Sequence, residues 1–426
     1  SYVDGNSCEN SDTVLVTVFS KEDANFSYAT NTYNQSAPDP TPTVTGISGG
    51  TFSSTAGLNL NSSTGEIDLS VSTPGTYTVS YLSSSNLCAE TGTFDLTITQ
   101  STVPKTYVPD DNFEAYLETH DASGNVVSVG DANSMGDGIA NNDSVITANI
   151  SGVANLYVDD QTIADLTGIE DFTNLSELSC SNNQLTSLNV TQNTQLTKLS
   201  CGKYNLPLNS WSANGNQLTS LNVTQNTLLT NLKVGYNLLT TLDITQNTNL
   251  VELYCLNNSI TSLDVSQNTS LQFLECSNNQ ITTLDVSQNI ALRYFSCSNP
   301  LSAIDVSNNI NLTYFGLGNT SSTITSIDLS NNTLLTRIQA VGNPNLSSLD
   351  LRNTNIQNYT VAHLNGSPNL NCISVDDANW ANNNWLNSGN SNFAFDSHVI
   401  FLDDCALYTA LAVSYTHLTL PTSYPV

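Results

Sequence analysis

The sequence has 426 residues, of which 8 are lysine or arginine and 37 are aspartate or glutamate, so its formal net charge is −29. The basic residues are scattered, which excludes nucleic acid as a partner, because phosphate binding needs clustered lysines and arginines. No run of about 18 apolar residues occurs, so no segment is predicted to span a membrane. Asparagine, threonine and serine dominate the polar positions, a composition that suits exposed β-structure outside the cell.

Residues 21–100 are predicted to form one domain of short β-strands, because β-branched and aromatic runs alternate with Gly, Pro, Ser and Asn. The clearest strand runs are residues 66–69, 76–82 and 91–99. Cys8 and Cys88 each lie between a Ser-Tyr pair and a strand. We therefore expect residues 1–20 to be the tail of a preceding copy of the same domain. A Cys8–Cys88 disulfide and separate pairing within each domain are both open.

Residues 101–106 are predicted to be a linker, and residues 107–152 a cap for the repeats that follow. A helix is expected to start near Asp111, because an acidic residue followed three positions later by Glu114 is typical of a helix N-terminus. An apolar stripe suited to covering the open end of a solenoid recurs at i, i+3 and i+4, namely Phe113, Tyr116 and Leu117.

A loop rich in oxygen ligands follows this helix, and its candidate calcium ligands are Asp131, Asn133, Asp137 and Asp143. The loop is similar to an EF-hand at its first, third and sixth positions, but methionine and asparagine stand at its fifth and twelfth. Glycine- and asparagine-rich turns give the same pattern without a metal. Bound Ca²⁺ and a turn-rich loop are therefore both open, and no other cofactor is predicted.

From residue 153 to residue 371 a 21-residue unit recurs, and each unit nests two strands that are followed by asparagine. Successive units align at a leucine position occupied by Leu178, Leu199, Leu232, Leu253, Leu274, Phe295, Phe315 and Ile338. This pattern predicts a coil in which neighbouring turns stack about 4.8 Å apart through parallel ladders. Buried asparagines are expected to bond the backbone groups at the bends.

Two further columns run along the predicted coil. Cysteines occupy one inward column, where cysteine acts as a small apolar residue: Cys180, Cys201, Cys255, Cys276 and Cys297. One cysteine per turn does not provide the tetrahedral ligand set that zinc needs. Aspartates occupy a second column: Asp243, Asp264, Asp285, Asp305, Asp328 and Asp350. Adjacent like charges destabilise paired strands, so either hydrogen bonds from nearby hydroxyls or bound cations must offset them.

The main functional prediction is a binding surface on the outward positions of the first strand in each turn. Phe273, Tyr294 and Tyr314 fall on successive turns and predict an exposed aromatic stripe suited to contacting protein or sugar rings. A ladder that only braces the sheet is the alternative. Further candidate contacts are Lys198, Lys233, Tyr254 and Arg337 beside the stripe, and Tyr204 and Trp211 in an insertion of the repeat.

The repeat resembles the bacterial leucine-rich repeats whose nested 21-residue unit reads LxxLxCxxNxLxxLDVxxNxx. The resemblance covers residues 107–405 and implies a leucine-rich-repeat solenoid over residues 153–371, with a helical N-terminal cap and a C-terminal cap at residues 372–405. In such a C-terminal cap Cys372 and Cys405 are expected to form a disulfide, which would stabilise the fold by roughly 3–4 kcal/mol.

The preceding segment resembles the Ig-like modules that occur in tandem in large bacterial surface adhesins. The likeness rests on the motifs Gly49-Gly50-Thr51-Phe52 and Thr64-Gly65-Glu66-Ile67-Asp68-Leu69, and it implies an Ig-like β-sandwich at residues 21–100. These modules commonly have a cysteine after the position of Tyr33, where this chain has Asn34. Residues 406–426 are expected to be a non-native tail, because residues 413–422 resemble a translated sequencing adapter, so both ends of the chain are expected to be cut.

No GxSxG, HExxH or P-loop motif occurs, and the four histidines lie in unrelated segments, so no catalytic residue is predicted. The sequence therefore predicts a mainly β, non-catalytic adhesion or recognition protein that binds an extracellular protein or glycan. The resemblance implies that it is secreted or displayed on the surface of a Gram-negative bacterium. A structural spacer, or a targeting module of a larger secreted protein, is the alternative.

Overall fold

The computed structural model describes residues 20–35, 37–84, 88–100, 103–202, 215–386 and 391–405, together with residues 2–3, 9–10, 15, 17 and 18. The chain divides into two compact units, Ser1–Val103 and Pro104–Val426. No helix in the described residues is long and apolar enough to cross a membrane.

The first unit is built from short strands: β1 (Tyr2–Val3), β2 (Glu9–Asn10), β3 (Phe26–Ser27), β4 (Thr32–Asn34), β5 (Thr43–Val44), β6 (Thr51–Ser54), β7 (Gly75–Leu82) and β8 (Thr91–Thr99). β1 pairs with β2 and β3 pairs with β5, while the other four strands form a sheet in the order β4-β8-β7-β6. β4 is parallel to β8, and the remaining pairs are antiparallel. Residues 66–69, predicted to be a strand, contribute only a bridge between Ile67 and Leu60.

Aromatic rings fill the core of the first unit. The Phe26 ring of β3 lies edge-on to Phe52 of β6, with centroids 5.4 Å apart, and 5.9 Å from the Tyr81 ring of β7. The Tyr81 hydroxyl donates to the Ile47 carbonyl at 2.7 Å and accepts from the Gly50 N–H at 2.8 Å. The β3–β5 pair and the four-stranded sheet therefore share one core, in which the polar end of this tyrosine is satisfied.

The second unit begins with β9 (Lys105–Tyr107), α1 (Asp111–Thr119), β10 (Ser144–Ile146) and α2 (Thr147–Ile150). β9 pairs with β10 in antiparallel fashion, so the segment predicted to be a linker ends in a strand. The N-cap of α1 is Asp110, whose Oδ1 accepts from the N–H groups of Asn112 and Phe113. The helix therefore begins where the sequence predicts it, although the capping carboxylate lies one residue earlier than Asp111.

Three carboxylates, one per turn of α1, each accept two backbone N–H groups from loops of the same unit. Asp110 accepts from Ala164 and Asp165. Glu114 accepts from Asn142 and Asp143. Glu118 accepts from Asp137 and Gly138. Glu114 and Glu118 are buried, so these paired bonds satisfy charges that would otherwise be costly to bury. Phe113 and Leu117 lie in the same apolar core as the first strands of the coil.

Short strands then follow at regular intervals: β11 (Asn155–Tyr157), β12 (Glu177–Ser179), β13 (Lys198–Ser200), β14 (Asn231–Lys233), β15 (Glu252–Tyr254), β16 (Phe273–Glu275), β17 (Tyr294–Ser296), β18 (Tyr314–Gly316), β19 (Ser326–Asp328), β20 (Arg337–Gln339), β21 (Ser348–Asp350), β22 (Val361–His363), β23 (Cys372–Ser374), β24 (Phe393–Ala394) and β25 (Ile400–Leu402). In the described residues, β11 to β18, β20, β22 and β24 form one eleven-stranded parallel sheet. β19, β21, β23 and β25 form a second parallel sheet.

The pairing register places the repeated leucines in one buried column. Leu253 pairs with Leu274, and Leu274 pairs with Phe295. The cysteine column is also inward and buried, and burial raises the pKa of the Cys201 thiol to about 12. The predicted coil is confirmed, because one apolar side chain per turn enters a continuous core.

Two rows of buried asparagines bond the backbone at the bends of the coil. In one row, Asn279 Nδ2 donates to the carbonyls of Cys255 and Cys276 at 3.0 Å, and its Oδ1 accepts from the Ile260 N–H at 3.0 Å. In the other row, Asn289 Nδ2 donates to two carbonyl oxygens, both at 2.9 Å. These side chains replace the hydrogen bonds that the bends remove from the ladders.

The last part of the described coil contains two short helical segments, α3 (Ala378–Ala381) and a π-helical turn at Asn382–Leu386. Single 3₁₀ turns occur earlier at Ile169–Asp171 and Ile356–Asn358. A disulfide joins Cys372 to Cys405, whose Cα atoms are 5.8 Å apart. Trp385 is buried, and its ring neighbours include Tyr359, Trp380, Phe393, Phe395 and Phe401. Residues 406–426, the expected non-native tail, lie outside the described residues.

Candidate binding surface

The outward side chains of the eleven-stranded sheet form one continuous surface, termed the strand face. Each full strand contributes its first and third residues, because the middle residue points inward; Phe273 and Glu275, for example, flank the buried Leu274. In-register pairing places Phe273 beside Tyr294 and Tyr294 beside Tyr314. The other predicted contacts that the structure describes also occupy these positions: Lys198, Lys233, Tyr254 and Arg337.

Four aromatic rings stack along this face, and Tyr254, Phe273, Tyr294 and Tyr314 are together termed the aromatic stack. The rings of Phe273 and Tyr294 have centroids 3.9 Å apart and planes 5° apart. Tyr314 continues the column, 4.2 Å from Tyr294 with planes 4° apart. Tyr254 lies 4.7 Å from Phe273 and is tilted by 32°. One ring per turn gives a continuous column because the spacing between strands, about 4.8 Å, is close to a stacking distance.

A cation lies over each end of the aromatic stack. Lys233 Nζ is 5.3 Å from the centroid of the Tyr254 ring, and Arg337 Cζ is 5.5 Å from that of Tyr314. Both distances fall within the range of roughly 6 Å over which a cation is attracted to a ring face. The faces of all four rings are therefore turned toward another ring or toward a cation.

The structure corrects the predicted exposure of the aromatic stripe. Phe273, Tyr294 and Tyr314 are half-buried and not exposed, and Tyr254 is buried. The rings cover one another, and the small residue Gly316 lets Tyr314 lie close to the sheet, since a Cβ at that position would come within 2.9 Å of the Tyr314 ring. Ring edges, and not ring faces, are therefore the part of the stack that a ligand can reach.

A buried carboxylate lies beside the aromatic stack. Glu275 accepts from the Ser277 N–H at 3.1 Å and from the Tyr294 hydroxyl at 3.3 Å. Burial raises the pKa of Glu275, while hydrogen bonds from serine and tyrosine groups act in the opposite direction. The Tyr314 hydroxyl donates to Gln339 Oε1 at 2.5 Å. These bonds hold the two tyrosine rings in place, and sequence analysis did not identify them.

The strand face is nearly neutral in a strongly acidic molecule. Its described strands carry three basic residues, Lys198, Lys233 and Arg337, and three acidic residues, Glu177, Glu252 and Glu275. Lys198 is paired with Glu177 at 3.1 Å, and Glu275 is buried. The whole chain, in contrast, has a net charge of −29. An acidic partner is therefore repelled less at the strand face than elsewhere on the protein.

Four of the 37 acidic residues lie in an exposed row on successive turns, Asp243, Asp264, Asp285 and Asp305, termed the aspartate row. Each Oδ1 accepts from the backbone N–H two residues later at 2.9–3.0 Å. These backbone bonds, with those of the nearby hydroxyls, lower the pKa of each aspartate. The hydroxyl bonds that the first of the two alternatives predicts are therefore present in these turns.

The loop predicted to be a calcium site or a turn-rich loop is organised by protein groups. The Asp137 carboxylate lies 2.7 Å from Lys105 Nζ and accepts from Asn142 Nδ2 at 3.0 Å. Burial by itself would raise the pKa of Asp137. The hydrogen bonds that its carboxylate accepts outweigh this effect, so the pKa is lowered. Asp131 accepts from the Asn133 N–H at 2.8 Å. A lysine therefore occupies part of the space around Asp137 that a cation would need.

The fourth predicted ligand, Asp143, belongs to a different group. One carboxylate oxygen each from Asp143, Asp111 and Glu114 lie within 4.8 Å of one another. No other group of at least three acidic, histidine or cysteine side chains with this spacing occurs in the described part of the chain. Asp131 and Asp137 are not members of it, so the four predicted ligands do not converge on one point.

Sequence analysis missed an apolar edge on the turns that carry the rings. Ile290 and Ile310, which precede β17 and β18 by four residues, are 59% and 55% exposed. Other turns have threonine at this position, as at Thr248 and Thr269. The replacement of threonine by isoleucine was therefore the signal in the sequence for this apolar edge. The predicted contacts Tyr204 and Trp211 lie outside the described residues.

The repeat, the register and the buried leucine column establish the fold of the second unit. It is a leucine-rich-repeat solenoid. No protein-family model and no curated protein matches the sequence. Among solved structures, the chain is similar to the functional domain of InlJ from Listeria monocytogenes, described as including a cysteine ladder, with 26% identity, 72% of each chain covered and a TM-score of 0.39.

Two further solved structures show the same kind of likeness. The internalin InlF of Listeria monocytogenes is 18% identical, with 70% of this chain and 92% of that chain covered and a TM-score of 0.46. A leucine-rich-repeat protein of Leptospira interrogans is 20% identical, with 49% and 62% covered and a TM-score of 0.35. These three structures belong to bacterial internalins and a bacterial leucine-rich-repeat protein.

Proposed function

We propose that this protein recognises a protein partner outside the cell through its strand face and has no catalytic role. The observation that carries the proposal is the aromatic stack, a column of four rings at outward positions of consecutive strands. Aromatic side chains provide large, rigid contact area at low conformational cost and are enriched at the centres of interfaces.

The sheet itself does not need these rings, which supports a binding role over a bracing one. β12 and β13 pair in the same register as β16 and β17. Their outward residues are charged residues and serines: Glu177, Ser179, Lys198 and Ser200. Leucine burial and backbone ladders are therefore sufficient to hold a turn, and the rings are an addition to four successive turns.

A protein partner fits the geometry of the stack better than a glycan. Sugars bind aromatic residues by lying on a ring face, and the faces in this stack are turned toward other rings or toward Lys233 and Arg337. Ring edges, and the exposed Ile290 and Ile310 in the turns before β17 and β18, instead offer apolar contact to side chains. We expect the partner to cover both features at once.

Three finer assignments belong to the same proposal. We assign the first unit as an Ig-like module, and α1 as the cap of the solenoid, because the apolar residues of α1 share the solenoid core. We place the protein outside a bacterial cell, which the Cys372–Cys405 disulfide supports, since such bonds persist in oxidising compartments. The buried thiols of the cysteine column are compatible with this placement, because structural cysteines without solvent access are inert to oxidation.

Arrays of extracellular proteins and of glycans, probed with the purified chain, test this proposal. We expect binding to one or more proteins that is lost when Glu252 is replaced by Trp, which adds bulk to the strand face and retains every ring. The matched control is Gln267→Trp, an exposed position away from the strands. Binding to glycans alone contradicts the choice of partner, and no binding to either array favours the structural spacer.

A further inference from the structure

The half of the strand face that follows β16 has the opposite charge bias to the whole chain. β17, β18, β20 and β22, with the residue before each, contain Arg293, Arg337 and His363 and no acidic residue. This stretch thus holds two of the 8 lysines and arginines and none of the 37 acidic residues. The acidic residues of the strand face all lie on earlier strands, at Glu177, Glu252 and Glu275.

Arg337 is the cation in this half that is best placed to bind a ligand. It is exposed, and no carboxylate forms an ion pair with it among the described residues. The described pairs instead involve Lys21, Lys105, Lys198 and Arg352. Arg293 is also exposed and outside the described ion pairs, so Arg337 is distinguished by its place over the Tyr314 ring.

The position of Arg337 is prepared by its neighbours. Its guanidinium carbon lies 5.5 Å from the centroid of the Tyr314 ring. That ring is held by the stacked Tyr294 on one side and by the hydroxyl bond to Gln339. A guanidinium that stacks on a fixed ring keeps N–H donors at its rim and loses less freedom when it binds a carboxylate.

We infer that Arg337 is an anchor for an Asp or Glu side chain of the protein partner, with apolar partner residues beside it on the edges of Tyr294 and Tyr314. This inference rests on the proposed function and names the chemistry of the partner. The guanidinium binds a carboxylate through two parallel hydrogen bonds, which gives both affinity and orientation. A polyanionic glycan fits less well, because such ligands need clustered cations and the rest of this chain repels them.

Selection from a random peptide library displayed on phage, followed by affinity measurement on synthetic copies, tests the inference. We expect the selected peptides to contain Asp or Glu next to leucine or aromatic residues. Arg337→Gln should weaken their binding about tenfold or more, because a charge-assisted pair is lost. Arg337→Lys should give an intermediate loss, since a lysine cannot form the two parallel bonds.

Lys198→Gln is the matched control, because Lys198 is also a cation of the strand face but is already paired with Glu177. It should leave the affinity for the peptides unchanged. Peptides without acidic residues, an unchanged affinity for Arg337→Gln, a failure to select any peptide, or tighter binding of a heparin oligosaccharide through Arg337 would each overturn the inference. If Glu252→Trp still abolishes partner binding while Arg337→Gln does not, the proposed function stands and only the inference fails.

Discussion

The rings of Phe273 and Tyr294 lie parallel, with their centroids 3.9 Å apart, on two adjacent strands of the solenoid. This relationship joins the fold to the proposed function. A repeat that spaces its strands by about 4.8 Å can align one ring per turn into a rigid column. The same alignment covers the ring faces, so it decides which part of each aromatic residue a partner can reach.

Tyr294→Ala should lower the free energy of unfolding by about 1–3 kcal/mol, because the central ring contacts two neighbours and each aromatic pair contributes about 0.5–1.5 kcal/mol. Chemical denaturation followed by circular dichroism gives this value. Tyr157→Ala is the control, since Tyr157 is an exposed residue of the same face on β11. Equal losses for the two variants would show that the stack adds no stability.

Asn289→Ala should destabilise the solenoid by about 2–4 kcal/mol, because buried carbonyl groups lose their donor. Asn289 Nδ2 donates to the carbonyls of Val265 and Asn268. The adjacent Gln288 is exposed, so Gln288→Ala should change stability by less than about 0.5 kcal/mol. A similar denaturation midpoint for the two variants contradicts the role given to the asparagine row.

Asp110→Ala should destabilise the second unit by about 2–4 kcal/mol, because one side chain caps α1 and also accepts two N–H groups from the solenoid. The acceptors are its two carboxylate oxygens, and the donors include Phe113 and Ala164. Asp111→Ala, at an exposed position in the first turn, should cost less than about 1 kcal/mol. If thermal melting shows the larger loss for Asp111, the assignment of the cap is wrong.

The Glu275→Gln variant should gain stability relative to the wild type as the pH rises from about 4 toward 7. The gain should begin near the ordinary pKa of glutamate. Burial raises the pKa of Glu275 in the folded state. The folded protein therefore binds more protons than the unfolded chain in this window, so ionisation of Glu275 lowers stability as the pH increases. Denaturation at several pH values checks this trend, with Glu252→Gln as the control on the neighbouring strand.

Removal of divalent metal should leave the melting temperature unchanged. Lys105 contacts Asp137, and backbone N–H groups bind both oxygens of Glu114, so protein groups already balance these carboxylates. Differential scanning calorimetry with and without EDTA tests the expectation. A fall of more than about 2 °C that added CaCl₂ reverses, equivalent to roughly 1 kcal/mol, would establish a calcium site.

The solenoid could be predicted from the sequence because its register is a property of the repeat. Leu274 and Phe295 lie 21 residues apart, and the structure pairs them directly. The arrangement of the rings could not be predicted in the same way. It depends on the absence of a side chain at Gly316, two residues after Tyr314 in β18, and on the bond from Tyr314 to Gln339 of the next strand in the sheet.

The N-terminal part of the second unit shows the same limit. The pattern around Asp111 and Glu114 predicts a helix, and the helix is present. The pattern does not show that Glu114 and Glu118 accept N–H groups from a loop about 20–30 residues later. The oxygen-rich loop therefore suggests a metal site from its composition alone, although its backbone is held by carboxylates of α1.

The central claim is that the strand face, and in particular the aromatic stack, binds the partner. The most direct measurement is the affinity of the strongest array partner for the wild type, for Tyr294→Ala/Tyr314→Ala and for Gln246→Ala/Gln267→Ala, by surface plasmon resonance. Circular dichroism first establishes that each variant is folded. We predict that the tyrosine variant binds at least about tenfold more weakly, as expected for interface aromatic residues, and that the glutamine variant binds as the wild type does. Unchanged affinity in the folded tyrosine variant would contradict the account.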